Sequence, residues 1–311
     1  MTQIEKKLTV IINTKNAAST LAATLKSVEF ADKVLVMDMD SSDETAQIAR
    51  AYGAKVVFHP EVGIVEPARN KALAMVKSGW VLVLDSDETL SSDLAKKIKS
   101  MVGGDAIATG YYIPRKNFIF GDWLNTAGWW PDYQLRFFQA GTVTWPNEIH
   151  GKPECSGSVD YLAANEILAI NHQNYPTVSS YLSKLDRYTD HELTARKPVS
   201  THDEQSIVQA WSGELMSRLF AQAGLKAGVR GVGMGLLQAN YELVVALKQW
   251  QKLEKARSAT QNITEVQDGS LGWHALAGHR SDLAYWLADW QVSRQRGLAK
   301  FYWQVRRKLK L

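Results

Sequence analysis

The first hundred residues alternate between short apolar runs and segments with helical spacing. "LTVIIN" (8–13), "KVLVMD" (33–38), "AKVVFH" (54–59) and "WVLVLD" (80–85) are continuously apolar until their last residues, as strands covered on both faces are. An Ala/Leu pattern reaching about Val28, Asp43 to Tyr52, Glu66 to Val76, and Asp93 to Met101 read as the intervening helices. Strand–helix alternation with short loops predicts an α/β class fold, doubly wound around a mainly parallel sheet. Ligands of such a sheet gather at the carboxyl ends of its strands.

The pattern changes after residue 110. "GYYIPRKNFIF", "YQLRFFQAGTVTW" and "EILAI" are short, aromatic and strand-like. From Pro176 the spacing turns helical: Ile207, Val208, Trp211, Leu215, Leu219 and Phe220 fall mostly three or four apart. The glycines of 224–235 suggest a bend, and 236–255 and 281–311 read as further helices. The expected organisation is one α/β domain over 1–175 and a helical region over 176–311.

Composition narrows the function classes. A 45% hydrophobic, 22% charged chain of 311 residues can bury a sizeable core. A net charge of +4 without Cys/His zinc spacing gives no argument for nucleic acid. The single cysteine, Cys155, excludes an intrachain disulfide and fits a reducing compartment. The apolar run in "MTQIEKKLTVIINTKN" is too short for a secretion signal and reads as a first strand. No stretch approaches the roughly 18 uninterrupted apolar residues of a membrane span. The nearest, "VRGVGMGLLQANYELVVAL", contains Arg230 and Glu242.

The strand tips carry the candidate chemistry. The first ends in "NTKN", the second in "DMDSSDET" and the fourth in "DSDE". Asp43 reads as an ordinary helix cap, a role that does not extend to Asp38 at the strand end. Asp85 and Asp87 repel each other, and burying both ionised needs a cation or strong donors. Mg²⁺ or Mn²⁺ would supply that charge and fill its shell with substrate phosphate oxygens. The competing reading is a loop with solvated acids, capped by Ser91 or Ser92 before the next helix. Glu88 has no role in either reading and is expected to be a solvated loop residue. Neither G-x-G-x-x-G nor a P-loop follows strand one.

Taken together, "TVIINTKN", "VLVMDMDSSDETAQIA", "EPARNKAL" and "WVLVLDSDE" resemble the family 2 inverting glycosyltransferases of GT-A fold. "YQLRFF", "WPNEIHGKP" and "NHQNYPTVSSYLSKLDRYT" look like the subgroup that includes lipopolysaccharide-core glucosyltransferases. The resemblance implies a nucleotide pocket lined by Thr14 and Asn16, with Asp38 accepting from the base imide. Met39 and Asp40 depart from the usual D-D-G-S pattern, Asp40 standing where glycine is common. This leaves open which acid reads the base. Arg69 and Asn70 match the segment beside the diphosphate, and a guanidinium suits phosphate oxygens. Asp85 and Asp87 match the D-x-D motif, Asp87 as direct metal ligand and Asp85 toward the ribose or the metal's outer shell. A UDP-sugar is the implied donor, and a glycan or lipid-linked molecule the implied acceptor.

An inverting transferase also needs a general base for the acceptor hydroxyl. Glu148 is the first candidate, Asp132 the second, with Glu154 also open. His150 could ligate metal or touch phosphate, or be a satisfied loop histidine. Arg136 could reach a phosphate or pair with an acid. Trp123, Trp129 and Trp130 suit a sugar-stacking acceptor side, with at least one expected in the core. The tail "RQRGLAKFYWQVRRKLKL" interleaves bases with aromatics, which suits either a helix at an anionic membrane surface or a solvated helix packed on the domain. The implied location is cytoplasmic, peripheral on the inner face of the cytoplasmic membrane. The tryptophan-rich C-terminal helices could also pack against a second copy. Two other readings stand beside the transferase. One is a sugar-nucleotide-forming nucleotidyltransferase, which lacks its Gly/Arg/Lys-rich loop here. The other is a non-catalytic membrane-associated scaffold with this fold.

Overall fold

The structure, a computed structural model, describes residues 5–63, 65–146, 152–196, 204–260 and 270–309. Its sheet begins with four parallel neighbours: β1 (Leu8–Thr14), β2 (Lys33–Asp38), β3 (Lys55–Phe58) and β4 (Trp80–Asp85). The crossovers carry α1 (Leu21–Ser27), α2 (Thr45–Ala51) and α3 (Glu66–Ala74). Alternate residues of each strand feed opposite layers. Val10, Ile12, Leu82 and Leu84 join one core cluster, while Ile11, Val81 and Val83 join the other. The unbroken apolar runs are thus the signature of a sheet buried on both faces. Gly79 turns the chain into β4 at φ +82°, where a Cβ would lie 2.6 Å from the Lys7 carbonyl oxygen.

After β4 the chain makes a two-residue turn into β5 (Glu88–Leu90) and then α4 (Ser92–Ser100). Ser91 caps α4 by accepting from the Leu94 N–H at 3.1 Å. The longer strands β6 (Gly110–Ile119) and β8 (Asp132–Gln139) pair antiparallel, with β7 (Asp122–Trp123) hairpinned onto β6. Short β9 (Val143–Thr144) and β10 (Glu154–Cys155) form their own pair, and β11 (Val159–Tyr161) adds to β6. The strand expected at "EILAI" begins later: Glu166–Leu168 is a 3₁₀ turn, and β12 runs Ile170–Tyr175. Strand order is β3-β2-β1-β4-β8-β6-β12-β5. The fold class is therefore as expected, a mostly parallel sheet with flanking helices followed by a helical region.

The chain divides into two compact units, residues 1–125 with 129–177, and 126–128 with 178–311. The second comprises α5 (Val178–Ala195), α6 (Glu204–Met216), α7 (Gly228–Thr260), α8 (Ser270–Arg294) and α9 (Gly297–Leu309). The bend expected across 224–235 is confined to its start, where Gly228 has φ +59°. The later glycines lie inside α7, and Gly231 serves close approach: a Cβ there would sit 2.0 Å from the Gly224 carbonyl oxygen.

Candidate active site

Parallel pairing lines up the strand tips. Thr14 is in register with Asp38, and Asn13 with Asp85. Asp38 is fully buried; its Oδ1 accepts from the Ser41 N–H at 3.2 Å while its Oδ2 meets no partner. Beside it the buried Thr14 hydroxyl and the whole Asn13 amide also lack partners. Buried polar atoms without partners are rare because each costs desolvation, so this cluster is a candidate place for a polar ligand or for water. Asn13 is a member that sequence reasoning misses; its place at the head of "NTKN" is the signal that could have found it.

The loops around this cluster are braced locally. Asn16 has φ +48°, and its side-chain oxygen accepts from the Ser42 N–H at 2.8 Å. Asp43 accepts from the N–H groups of Thr45 and Ala18 at 3.0 and 3.1 Å, a structural duty. Asp40 is exposed at φ +60°, a left-handed backbone that glycine adopts at no steric cost.

Asp85 lies between two arginines. Arg69 Nη2 is 2.5 Å from its Oδ1 and Arg136 Nη2 is 2.7 Å from its Oδ2. Burial pushes its proton affinity up, but Arg136 and Arg69 outweigh that and hold the carboxyl far below the usual carboxylate range. Burial likewise works against the charge on Arg136, and Asp85 and Glu88 overcome it, raising its pKa. The Nε atoms of Arg69 and Arg136 are buried without partners. Asn70 commits its amide to Trp145, donating to its carbonyl at 2.8 Å and accepting from its N–H at 3.1 Å.

Glu88 is not the solvated residue expected from the sequence. It is 0% exposed. Its Oε1 accepts from Arg115 at 3.1 Å and Arg136 at 3.0 Å, and its Oε2 accepts from the Asp85 N–H at 2.9 Å. Two guanidinium partners make burial of this carboxylate tolerable.

Asp87 faces His172. The antiparallel register of β5 and β12 sets Glu88 opposite His172, which brings His172 Nε2 to 3.6 Å from Asp87 Oδ2. The tautomer follows from the neighbours. Asp132 accepts from Asn117 Nδ2 at 2.9 Å, so Asn117 Oδ1 points the other way and accepts from His172 Nδ1 at 2.7 Å. His172 Nε2 faces the Asp87 carboxylate with a lone pair when the ring is neutral and with an N–H when it is protonated. For the neutral ring a shared divalent cation would remove the repulsion between lone pair and carboxylate, and the Asn117 bond is the kind of outer support that metal-binding histidines have. No group of three metal-binding side chains occurs among the described residues. Two protein donors suffice for an ion that completes its shell with phosphate oxygens.

The proposed bases fare differently. Glu148 and His150 lie outside the described residues. Glu154 is exposed on β10. Asp132 accepts from Arg115 at 2.8 Å, Asn117 at 2.9 Å and Gln134 at 2.7 Å. Burial would raise its proton affinity, but Arg115 and these bonds lower it, which suits an anchor better than a proton acceptor. Of the tryptophans, none of Trp123, Trp129 and Trp130 joins the buried core, contrary to the expectation for at least one. Trp123 and Trp130 meet edge to face at 5.2 Å, and Lys116 sits 4.5 Å over the Trp123 ring.

Residues 9–157 match the model of glycosyl transferase family 2, a span just short of half the chain. An uncharacterized glycosyltransferase of Rickettsia bellii is 39% identical over 97 residues, 31% of this chain and 33% of that protein. One of Mycobacterium bovis is 31% identical over 104 residues, 33% of this chain and 47% of that protein. The matched segment thus spans less than half of either relative. Among solved structures, S. aureus TarS has a TM-score of 0.42 at 15% identity, over 85% of this chain and 57% of that one. Glucosyl-3-phosphoglycerate synthase from Mycobacterium tuberculosis has 0.28 at 23% identity, over 37% and 44%. Likeness at these scores says nothing of what this chain binds. The aligned strand tips and the D-x-D turn all fall inside residues 9–157, the segment that is similar to glycosyl transferase family 2.

Proposed function

We propose that this chain is a metal-dependent, inverting glycosyltransferase. It moves a sugar from a UDP-sugar to a glycan or lipid-linked acceptor in cell-envelope polysaccharide synthesis, at the inner face of the cytoplasmic membrane. The observation that carries this reading is the buried, unpartnered set of Asp38 Oδ2, Thr14 Oγ1 and the Asn13 amide, one strand tip away from the Asp85–Arg69–Arg136 cluster.

Asp38 accepts the imide N–H of a uracil base, and Thr14 and Asn13 complete the pocket. Arg69 moves between Asp85 and the diphosphate, its free Nε giving it a second donor. Asp87 and His172 would hold Mn²⁺ or Mg²⁺, which would supply charge neutralisation for the leaving diphosphate. Glu148 takes the proton of the acceptor hydroxyl as its oxygen bonds to the anomeric carbon and the carbon–diphosphate oxygen bond breaks. Arg115, Asn117 and Asp132 keep His172 and Glu88 in place.

A thermal-shift screen of nucleotide sugars with and without Mn²⁺ tests donor, metal and site together. The expected result is stabilisation by UDP-sugars that depends on Mn²⁺ and disappears in Asp38→Asn and Asp87→Ala. Stabilisation by nucleoside triphosphates and sugar phosphates instead would assign the fold to sugar-nucleotide synthesis. No shift with any nucleotide would sink the reading. Glu148→Gln should bind donor normally and lose transfer; normal transfer by that variant overturns the base assignment.

A further inference from the structure

The second unit ends in a helix with an exposed apolar face. In α9, Leu298, Phe301, Tyr302, Val305 and Leu309 are all exposed, Leu298 at 88% and Phe301 at 63%. At about 100° per residue these five side chains fall within an arc of about 100°. The same count puts Arg306 and Lys308 on the two flanks of that arc, about 80° to either side of Leu298. The opposite face is occupied: Arg307 Nη1 is 2.6 Å from Asp289 Oδ1 of α8, which fixes how the helix is rolled. The Arg306 guanidinium lies 5.3 Å from the Trp303 ring and 5.8 Å from the Tyr302 ring. Not one acidic residue occurs in α9.

We infer that α9 is a membrane-surface helix, lying in the plane of an anionic lipid bilayer with the Leu298–Phe301–Val305–Leu309 face inserted. The chemistry of each part fits that occupant. An apolar stripe bordered by cations is what an acyl boundary under anionic headgroups takes up. Arg306 and Lys308 can extend along their methylene stems to the headgroups while their flanking apolar neighbours sink. Tyr302, at the edge of the arc, is an amphipathic ring of the kind that settles at a lipid–water boundary. A second copy is a poorer occupant, because docking this face on itself would set like charges together with no acid to pair them. No described helix is long and apolar enough to cross a membrane, so the attachment is along the surface. The inference is independent of the donor chemistry.

Co-sedimentation of the full chain with phosphatidylcholine vesicles, with and without phosphatidylglycerol, tests it. Wild type should bind the phosphatidylglycerol vesicles, with Trp fluorescence shifting to the blue. The Leu298→Glu/Phe301→Glu double variant should lose at least about tenfold in partitioning. Arg306→Gln/Lys308→Gln should bind both vesicle types alike. These side chains are exposed, and unchanged far-ultraviolet circular dichroism verifies folding. Wild type that stays in the supernatant, or a double variant that binds as wild type does, overturns the inference. So does an oligomer dispersed by the double variant without any vesicle binding, which would assign the face to a second copy.

Discussion

His172 Nε2 stands 3.6 Å from Asp87 Oδ2, with its other ring nitrogen held 2.7 Å from Asn117 Oδ1. The two residues are far apart in sequence and meet because β5 and β12 pair antiparallel. Asn117→Ala would free the ring without removing a ligand. The expected loss is about 10–100-fold in Mn²⁺ affinity, the usual effect of losing a ligand's outer support. Electron paramagnetic resonance of free Mn²⁺ in a titration reads it directly. Unchanged affinity would detach His172 from the metal.

Glu88 neutralises two guanidinium groups from a position sealed from water. Glu88→Gln removes the charge and leaves Arg115 and Arg136 partly uncompensated. Breaking one side of a buried ion pair costs about 3–5 kcal/mol. Urea unfolding followed by fluorescence should show a loss of that order, with Glu88→Ala no milder. A loss below about 1 kcal/mol would mean that water reaches the cluster, as it does in exposed pairs.

The same cluster divides what is legible in the sequence from what is not. Strands β1 to β4 and their helices are legible because short, unbroken apolar runs between helical segments are what a doubly covered parallel sheet requires. The carboxylates at their tips are legible for the same reason: the pattern stops abruptly at Asp38 and Asp85. Glu88 reads wrongly as solvated because the arginines that make its burial tolerable lie 27 and 48 residues away, on strands whose register no local pattern reveals. His172 stays hidden in "NHQNY" on the same account. Local periodicity specifies elements, whereas antiparallel register specifies which charges meet.

Acid should unfold the sheet domain in a predictable window. Asp85 and Asp132 both have proton affinities lowered in the folded state, against burial, by their arginine partners. A depressed folded pKa contributes stability above the unfolded value and loses it as pH falls toward the folded one. With unfolded aspartate near about 3.9, the contribution should be complete by about pH 5 and decline below about pH 4. Denaturant midpoints measured from neutral to acid pH check this. In Asp132→Asn the decline should be shallower.

Asp38 and Asp40 should separate cleanly. Asp38→Asn exchanges a buried acceptor for an amide and is expected to weaken uridine nucleotide binding about tenfold or more, the cost of a mispaired buried group. Asp40→Gly relieves a left-handed backbone and should raise stability by up to about 1 kcal/mol while binding is unchanged. Calorimetric titration with UDP and thermal unfolding measure the two effects. Equal loss of binding in both variants would return the base-reading role to Asp40.

The D-x-D turn joins strands that are chain neighbours but stand apart in the sheet. β4 and β5 are separated by Ser86 and Asp87 alone, yet three strands lie between them in the order β4-β8-β6-β12-β5. The sheet must therefore curl back on itself, and the Asp85–Glu88 turn is the clasp that shuts the hoop. Thr24 reinforces it by donating to the Ser86 carbonyl at 2.9 Å. With Asp87 on the clasp and His172 on the returning rim, an ion gripped by both would rivet the hoop. Cation occupancy and closure would then be one equilibrium: whatever loosens the curl loosens the ion, and the ion tightens the curl by mass action.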